Sequence, residues 1–206
     1  MTQAKPRFSS FEEYLVYSDN PEQPRDNIRY EFIEGDLIEL PPESGRNNLI
    51  ARRLLLALVN HGIPVELIVL HSCEVQVPVL QPKDAANRYP DLVLLREEHL
   101  QLTERRLTIT LDMPPPRLIV EIVSPGKTNR DRDYVNKRSQ YAAIGVPEYW
   151  LIDPAEGIVF VLTLQEQEYG TVGIFRGEAV IPSLELQGLS LTPDQILGVP
   201  RTALAD

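Results

Sequence analysis

The chain has 206 residues, with 20 Lys plus Arg against 30 Asp plus Glu, a formal net charge of −10. That length fits one domain, the acidity argues against a generic polyanion binder, and the single cysteine, Cys73, excludes an intramolecular disulfide and any cysteine-based zinc cluster. His61, His71 and His99 are scattered, apolar runs such as Leu54–Val59 are far short of a membrane span, and the first ten residues lack the apolar stretch of a signal peptide, so a soluble, cytoplasmic protein with no membrane partner is expected.

In chain order, Ser9 and Glu12 are spaced as a capping box that opens a short helix, which ends before the polar, proline-rich loop Asn20–Pro24. Tyr30–Ile33 and Leu37–Leu40 flank Glu34-Gly35 as a β-hairpin, and Pro41-Pro42 ends it. Between Ser44 and Asn60 the apolar residues Leu49, Ile50, Leu54, Ala57 and Leu58 recur at helical spacing, with Gly62 as the stop. Val65–Leu70, Val75–Leu80 and Asp91–Leu95 read as strands, and Glu97–Leu102 as a short helix. Arg117–Val123 is a strand entered through Met113-Pro114-Pro115-Pro116; Thr128–Ile144 is a loop followed by a helix that stops at Gly145. Glu148–Ile152 is a further strand, Ile158–Val180 alternates as antiparallel strands, and Thr192-Pro193 opens a last helical turn. The order predicts an α+β fold with a mixed sheet in a single domain over residues 1–206.

Glu121 lies in Leu118–Val123, where both faces are apolar, so the strand is buried on both sides. A glutamate there must be paired, protonated or bound to a cation. It is either a partner of Arg117 or Arg138 or a ligand. Asp91 opens the apolar run Leu92–Leu95 directly after Pro90, which cannot donate to a ladder; it either caps a turn or, if its strand neighbours that of Glu121, shares a hard divalent cation with it. Lys137 borders the stripe Tyr134, Arg138, Tyr141 and Ala142, with Asp133 one turn earlier, and either snorkels beside Asp133 or reaches the acids. His71 and Cys73 would share one face of a strand, and packing explains them better than a nucleophile pair.

Together, Tyr89-Pro90-Asp91-Leu92-Val93, Leu118-Ile119-Val120-Glu121-Ile122-Val123-Ser124-Pro125, Arg132-Asp133 with Lys137 and Tyr141, and Gly145-Val146-Pro147-Glu148-Tyr149-Trp150-Leu151-Ile152-Asp153-Pro154 resemble the putative restriction endonuclease family of bacteria, a branch of the PD-(D/E)XK nuclease-like superfamily. Tyr30–Leu37 and Pro41-Pro42 resemble its opening hairpin, and the resemblance spans about 11–197, which it implies is the core of the single nuclease-like domain. The resemblance implies a restriction endonuclease-like mixed sheet flanked by helices, with an N-terminal β-hairpin, a β-rich C-terminal part and a Mg²⁺- or Mn²⁺-dependent phosphodiesterase site acting on DNA. Asp91 and Glu121 would be its metal-binding acids and Lys137 its catalytic lysine, because the superfamily's expected lysine two residues after Glu121 is Val123 here. Glu31 is either a further acid of the site or an exposed hairpin residue.

The segment 127–138 sets Lys127, Arg130, Arg132, Lys137 and Arg138 against Asp131 and Asp133, a local excess of three positive charges. Lys127, Arg130 and Arg132 are therefore candidate phosphate contacts beside Glu121. Glu148, Tyr149, Trp150 and Asp153 are expected to be structural. The missing lysine at position 123 and the acidic net charge keep a second expectation open: a catalytically silent nuclease-like fold that binds nucleic acid or protein. A carboxylate-pair hydrolase on another substrate is a third. Two-strand cleavage favours a homodimer.

Overall fold

The computed structural model describes residues 6–20, 28–124, 126 and 132–199. Its centre is a six-stranded mixed sheet of β3 (Ile68–Leu70), β6 (Leu92–Leu94), β8 (Leu118–Ile122), β9 (Glu148–Asp153), β10 (Ile158–Gln165) and β11 (Glu168–Arg176), in the order β11-β10-β9-β8-β6-β3. Only β8 and β9 pair in parallel; the other neighbours are antiparallel. Every residue of β8 and β9 is buried, as expected for central strands covered on both faces.

Helix α2 (Gly45–Asn60) is capped by Ser44, whose hydroxyl accepts from the Asn47 N–H at 3.1 Å, and buries Ile50, Ala51, Leu54 and Leu58 in the main core. The other face of the sheet meets a π-helical turn, Arg132–Lys137, that runs directly into α4 (Arg138–Ala143). Helix α3 (Glu97–Leu102) and α5 (Pro193–Leu197) are short, and α5 opens with Thr192 as cap and Pro193 in the first turn, as the sequence predicts.

A smaller three-stranded sheet orders β5 (Asn87–Arg88), β4 (Glu74–Gln76) and β7 (Thr108–Ile109). Beside it stand α1 (Phe11–Ser18) and the hairpin of β1 (Tyr30–Ile33) and β2 (Asp36–Glu39), which share an aromatic cluster of Phe8, Phe11, Tyr14 and Phe32. The hairpin turns on Glu34-Gly35 with φ of 49° and 92°, the two positive values of a tight turn matched to strand twist. Asn87 locks the hairpin to the body: its Oδ1 accepts from the Phe32 N–H at 2.7 Å, and its Nδ2 donates to the Tyr30 carbonyl at 2.8 Å and to Glu74 Oε1 at 2.6 Å. This lock carries Glu31 toward the main sheet.

Several local expectations shift. The α1 cap is Ser10, with Glu13 reaching back to the Ser9 N–H at 2.6 Å, one residue later than the Ser9–Glu12 pairing. Val65–Leu67 is a 3₁₀ turn, so only Ile68–Leu70 is strand. The second strand is Glu74–Gln76 rather than Val75–Leu80: Val77 still donates to the Ala86 carbonyl at 2.8 Å, and Pro78, without an N–H, ends the pairing. The two-residue strands β5 and β7 carry no periodic signal of their own. His71 and Cys73 lie in the bend between β3 and β4 and not in a strand. Lys127 and Arg130 lie outside the described residues.

Candidate functional site

The antiparallel β6–β8 pairing brings two acids together. Leu92 stands opposite Val120, so Asp91, one step earlier, stands opposite Glu121. Asp91 does not cap a local turn: its Oδ2 accepts the Ile122 N–H from the neighbouring strand at 2.6 Å. Pro90 has no N–H to compete there. Thirty positions of sequence thus collapse to adjacent places on one sheet.

Glu121 is 2 % exposed. Its Oε2 meets Lys137 Nζ at 2.6 Å and its Oε1 accepts from the Tyr141 hydroxyl at 2.7 Å. Neither arginine considered from the sequence is its partner. Arg117 binds Glu185 at 3.0 Å and Arg138 donates to the Tyr169 carbonyl at 2.6 Å. Lys137 also meets Asp133 Oδ1 at 3.0 Å. Asp133 and Lys137 lie in the π-helical turn and Tyr141 follows in α4, all three buried on one wall; such local widening is often found at functional sites. The Tyr149 hydroxyl fixes that turn by donating to the Asp133 carbonyl at 3.0 Å.

Burial sets the electrostatics. It raises the Glu121 carboxyl, and although Lys137 opposes this, Asp133 and Asp91 add to it, leaving Glu121 pushed up to about 7. Burial pulls the Lys137 ammonium down, but Glu121 and then Asp133 outweigh that and hold it above the usual lysine range. Burial and the neighbouring Glu121 raise Tyr141, so its hydroxyl stays a donor.

These groups border a cleft of about 160 Å³. Its walls include Glu31, Glu43, Asp91, Glu121 and Asp133 against Arg132 and Lys137, five carboxylates to two cations. Arg88 and Arg29 pair with Glu31 and Glu43, so among the described residues one carboxylate is left over, and Glu121, pushed toward neutrality, can hold a proton or give way to a cation. The oxygen donors of Asp91 and Glu121 suit Mg²⁺ or Mn²⁺ chemically, since each oxygen that accepts one hydrogen bond keeps a second lone pair.

Glu31 is 8 % exposed, not an open hairpin residue; it pairs with Arg88 at 2.9 Å on the cleft wall. Arg88 in turn donates to Gln140 at 2.9 Å, tying the hairpin to α4. Arg132 is partly buried against Asp133 at 3.3 Å. The sequence pattern did not single out Glu43 or His71 as site residues. His71 Nδ1 lies 3.2 Å from Asp91 Oδ1 and 4.0 Å from Glu43 Oε1. No spacing signal joins Glu43, His71 and Asp91, which come from three separate loops. Asn47 was equally hidden; its Nδ2 donates to the Ile122 carbonyl at 3.2 Å, holding the first turn of α2 beside β8.

Comparison with known proteins completes the description. The Uma2 family, described as putative restriction endonuclease, matches residues 11–194. A crystal structure described as a putative nuclease belonging to DUF820, from Anabaena variabilis ATCC 29413, is similar with a TM-score of 0.62 and 20 % identity, over 91 % of this chain and 96 % of that one. At that identity the likeness is one of fold. No curated protein matches. The chain belongs to the Uma2 family of putative restriction endonucleases.

Proposed function

We propose, taking this family membership as the premise, that the protein is a divalent-metal-dependent endonuclease that hydrolyses DNA phosphodiester bonds at the Asp91–Glu121–Lys137 cleft. One observation carries the reading: Asp91, directly before β6, is set beside Glu121 by the β6–β8 register and takes the Ile122 N–H at 2.6 Å, with the Lys137 ammonium 2.6 Å from Glu121. Two buried acids and one lysine around an acidic cleft match the chemistry of phosphodiester hydrolysis better than that of sugar or peptide cleavage.

Asp91 and Glu121 would hold Mg²⁺ or Mn²⁺. When bound, such an ion polarises a phosphate oxygen and lowers the pKa of water. Lys137 keeps a full positive charge at the cleft, where it offsets charge that develops on the phosphate oxygens. Asp133 holds the Lys137 ammonium in place, and Tyr141 fixes the orientation of the Glu121 carboxylate. Glu31 would stand on the cleft wall as a further acid, held there by Arg88. Arg132, with Lys127 and Arg130, would contact the DNA backbone and turn the local charge against the acidic average of the chain. No helix among the described residues is long and apolar enough to cross a membrane; the proposed setting is the cytoplasm. Strand β11 forms one end of the sheet, with Val172 and Ile174 exposed, and would pair with a second copy so that two sites face the two DNA strands.

The test is cleavage of supercoiled plasmid and of single-stranded DNA with Mg²⁺ or Mn²⁺, compared with Asp91→Asn, Glu121→Gln and Lys137→Met. Activity of the wild type that all three variants lose supports the assignment. Folded protein that binds DNA but never cuts it points instead to a silent nuclease-like binding module.

A further inference from the structure

We propose that Glu43, His71 and Asp91 form a second divalent-cation site, on the side of Asp91 away from Glu121, and that it selects a first-row transition ion over Mg²⁺. The inference rests on the nuclease reading only through Asp91, which both sites share. Among the described residues this is the group of three whose ligand atoms all lie within 4.8 Å of one another.

His71 is the distinctive member. Both of its ring nitrogens are shielded from solvent and neither has a hydrogen-bond partner among the described residues; the 3.2 Å approach of Nδ1 to Asp91 Oδ1 is not aligned as a hydrogen bond. Leaving a buried polar atom unpaired costs about 1–3 kcal/mol, so His71 Nδ1, set against two carboxylates, calls for a proton or a cation between them. The backbone reinforces this. His71 sits at φ +57°, in the left-handed region that side-chain-bearing residues visit sparingly. Both backbone polar groups of His71 are held: its N–H donates to the Asp91 carbonyl at 3.2 Å and its carbonyl accepts from Arg29 at 3.0 Å.

Asp91 can serve both sides because its oxygens diverge: Oδ2 takes the Ile122 N–H, while Oδ1 faces His71. Arg29 positions the third ligand, meeting Glu43 Oε1 at 2.8 Å; the same oxygen lies 4.0 Å from His71 Nδ1 and keeps a second lone pair for an ion. Hydrogen bonds that orient ligating carboxylates in this way are usual around bound metals. One imidazole with two carboxylates suits Mn²⁺, Co²⁺ or Zn²⁺, whereas Mg²⁺ prefers oxygen alone. Glu43 and Asp91 line the cleft, so an ion reaches His71 from that side.

The experiment uses the full chain, stripped of metal and titrated with Mn²⁺. Calorimetry gives affinity and stoichiometry, and electron spin-echo modulation detects ¹⁴N bound to Mn²⁺. Imidazole nitrogen coupling is expected in the wild type and in Glu121→Gln, and not in His71→Asn, which accepts the left-handed backbone. The affinity of this site falls roughly tenfold or more in His71→Asn and in Glu43→Gln. Glu43→Gln retains the nitrogen coupling at saturating Mn²⁺ and stands in if His71→Asn unfolds. Bound Mn²⁺ without nitrogen coupling in the wild type overturns this site and leaves the Asp91–Glu121 reading intact. Nitrogen coupling in a protein that cuts no DNA does the reverse, and no Mn²⁺ binding at all overturns both.

Discussion

Two glutamates lie in parallel neighbouring strands of the same sheet, and their surroundings differ. Glu148 on β9 is fully buried and receives only neutral donors: Trp150 Nε1 at 2.6 Å, the Ser183 hydroxyl at 2.7 Å and the Leu184 N–H at 2.7 Å. Glu121 on β8 is equally buried but meets an ammonium, a phenol and two further acids, and is pushed up to about 7. A buried carboxylate surrounded by donors holds the fold together; here Glu148 pins the segment 183–185 across the end of the sheet. One crowded by other acids is poised to exchange its proton or its lysine for something else. Burial alone therefore does not separate structural from functional acids; the sign and number of the neighbours do.

The contrast breaks most sharply by substitution. Glu121→Gln should lower DNA cleavage by about a thousandfold, the several kcal/mol that metal-assisted charge stabilisation supplies, in a protein that still unfolds cooperatively. Asp91→Asn should match it in a plasmid-cleavage assay. Glu148→Ala should do the opposite. It leaves the buried Trp150 N–H unpaired, releases the segment 183–185 and costs about 3 kcal/mol in urea unfolding, while kcat per folded molecule stays at the wild-type value.

A pH series sharpens the comparison. A metal must displace the proton that Glu121 carries below about 7. Mn²⁺ affinity by calorimetry should therefore climb up to about tenfold per pH unit toward neutrality and flatten above it. Stability without metal follows the raised value. From the ordinary 4.5 up to about 7 the folded chain keeps a proton that the unfolded chain releases, so this contribution is full in acid and is lost as pH rises through about 7. Glu121→Gln should remove that slope, and Glu148→Gln should leave it in place. The smallest effect is expected from Tyr141→Phe, which deletes one hydroxyl donor to Glu121 and costs about 1–2 kcal/mol; it should also shift the midpoint of the affinity profile upward, since the lost bond favoured the charged form.

Much of this was legible in local pattern. The doubly apolar run around Glu121 implied a central strand, and β8 is buried throughout. The Pro90-Asp91 start marked the second acid, and the spacing of Asp133 and Lys137 put them on one helical side, where they meet at 3.0 Å. Other features left no such trace. The partner of Glu121 could as well have been Arg117 or Arg138, because charge says nothing about which cation a helix will deliver. The π-helical turn leaves no mark in a helical stripe. Glu31 was undecided because its burial depends on Asn87, fifty-five positions from Phe32.

What the sequence by itself determined is the α+β order, the burial of the central strands, the two acids that interrupt them and the membership those segments carry. These follow from periods of two and about 3.6 residues, which act within a few positions. Only the tertiary structure decided that Lys137 rather than an arginine answers Glu121, that Glu31 is paired with Arg88, and that Glu43, His71 and Asp91 converge. Those contacts join loops and strand ends whose mutual approach is set by strand order and packing, and no local pattern encodes distances across a sheet.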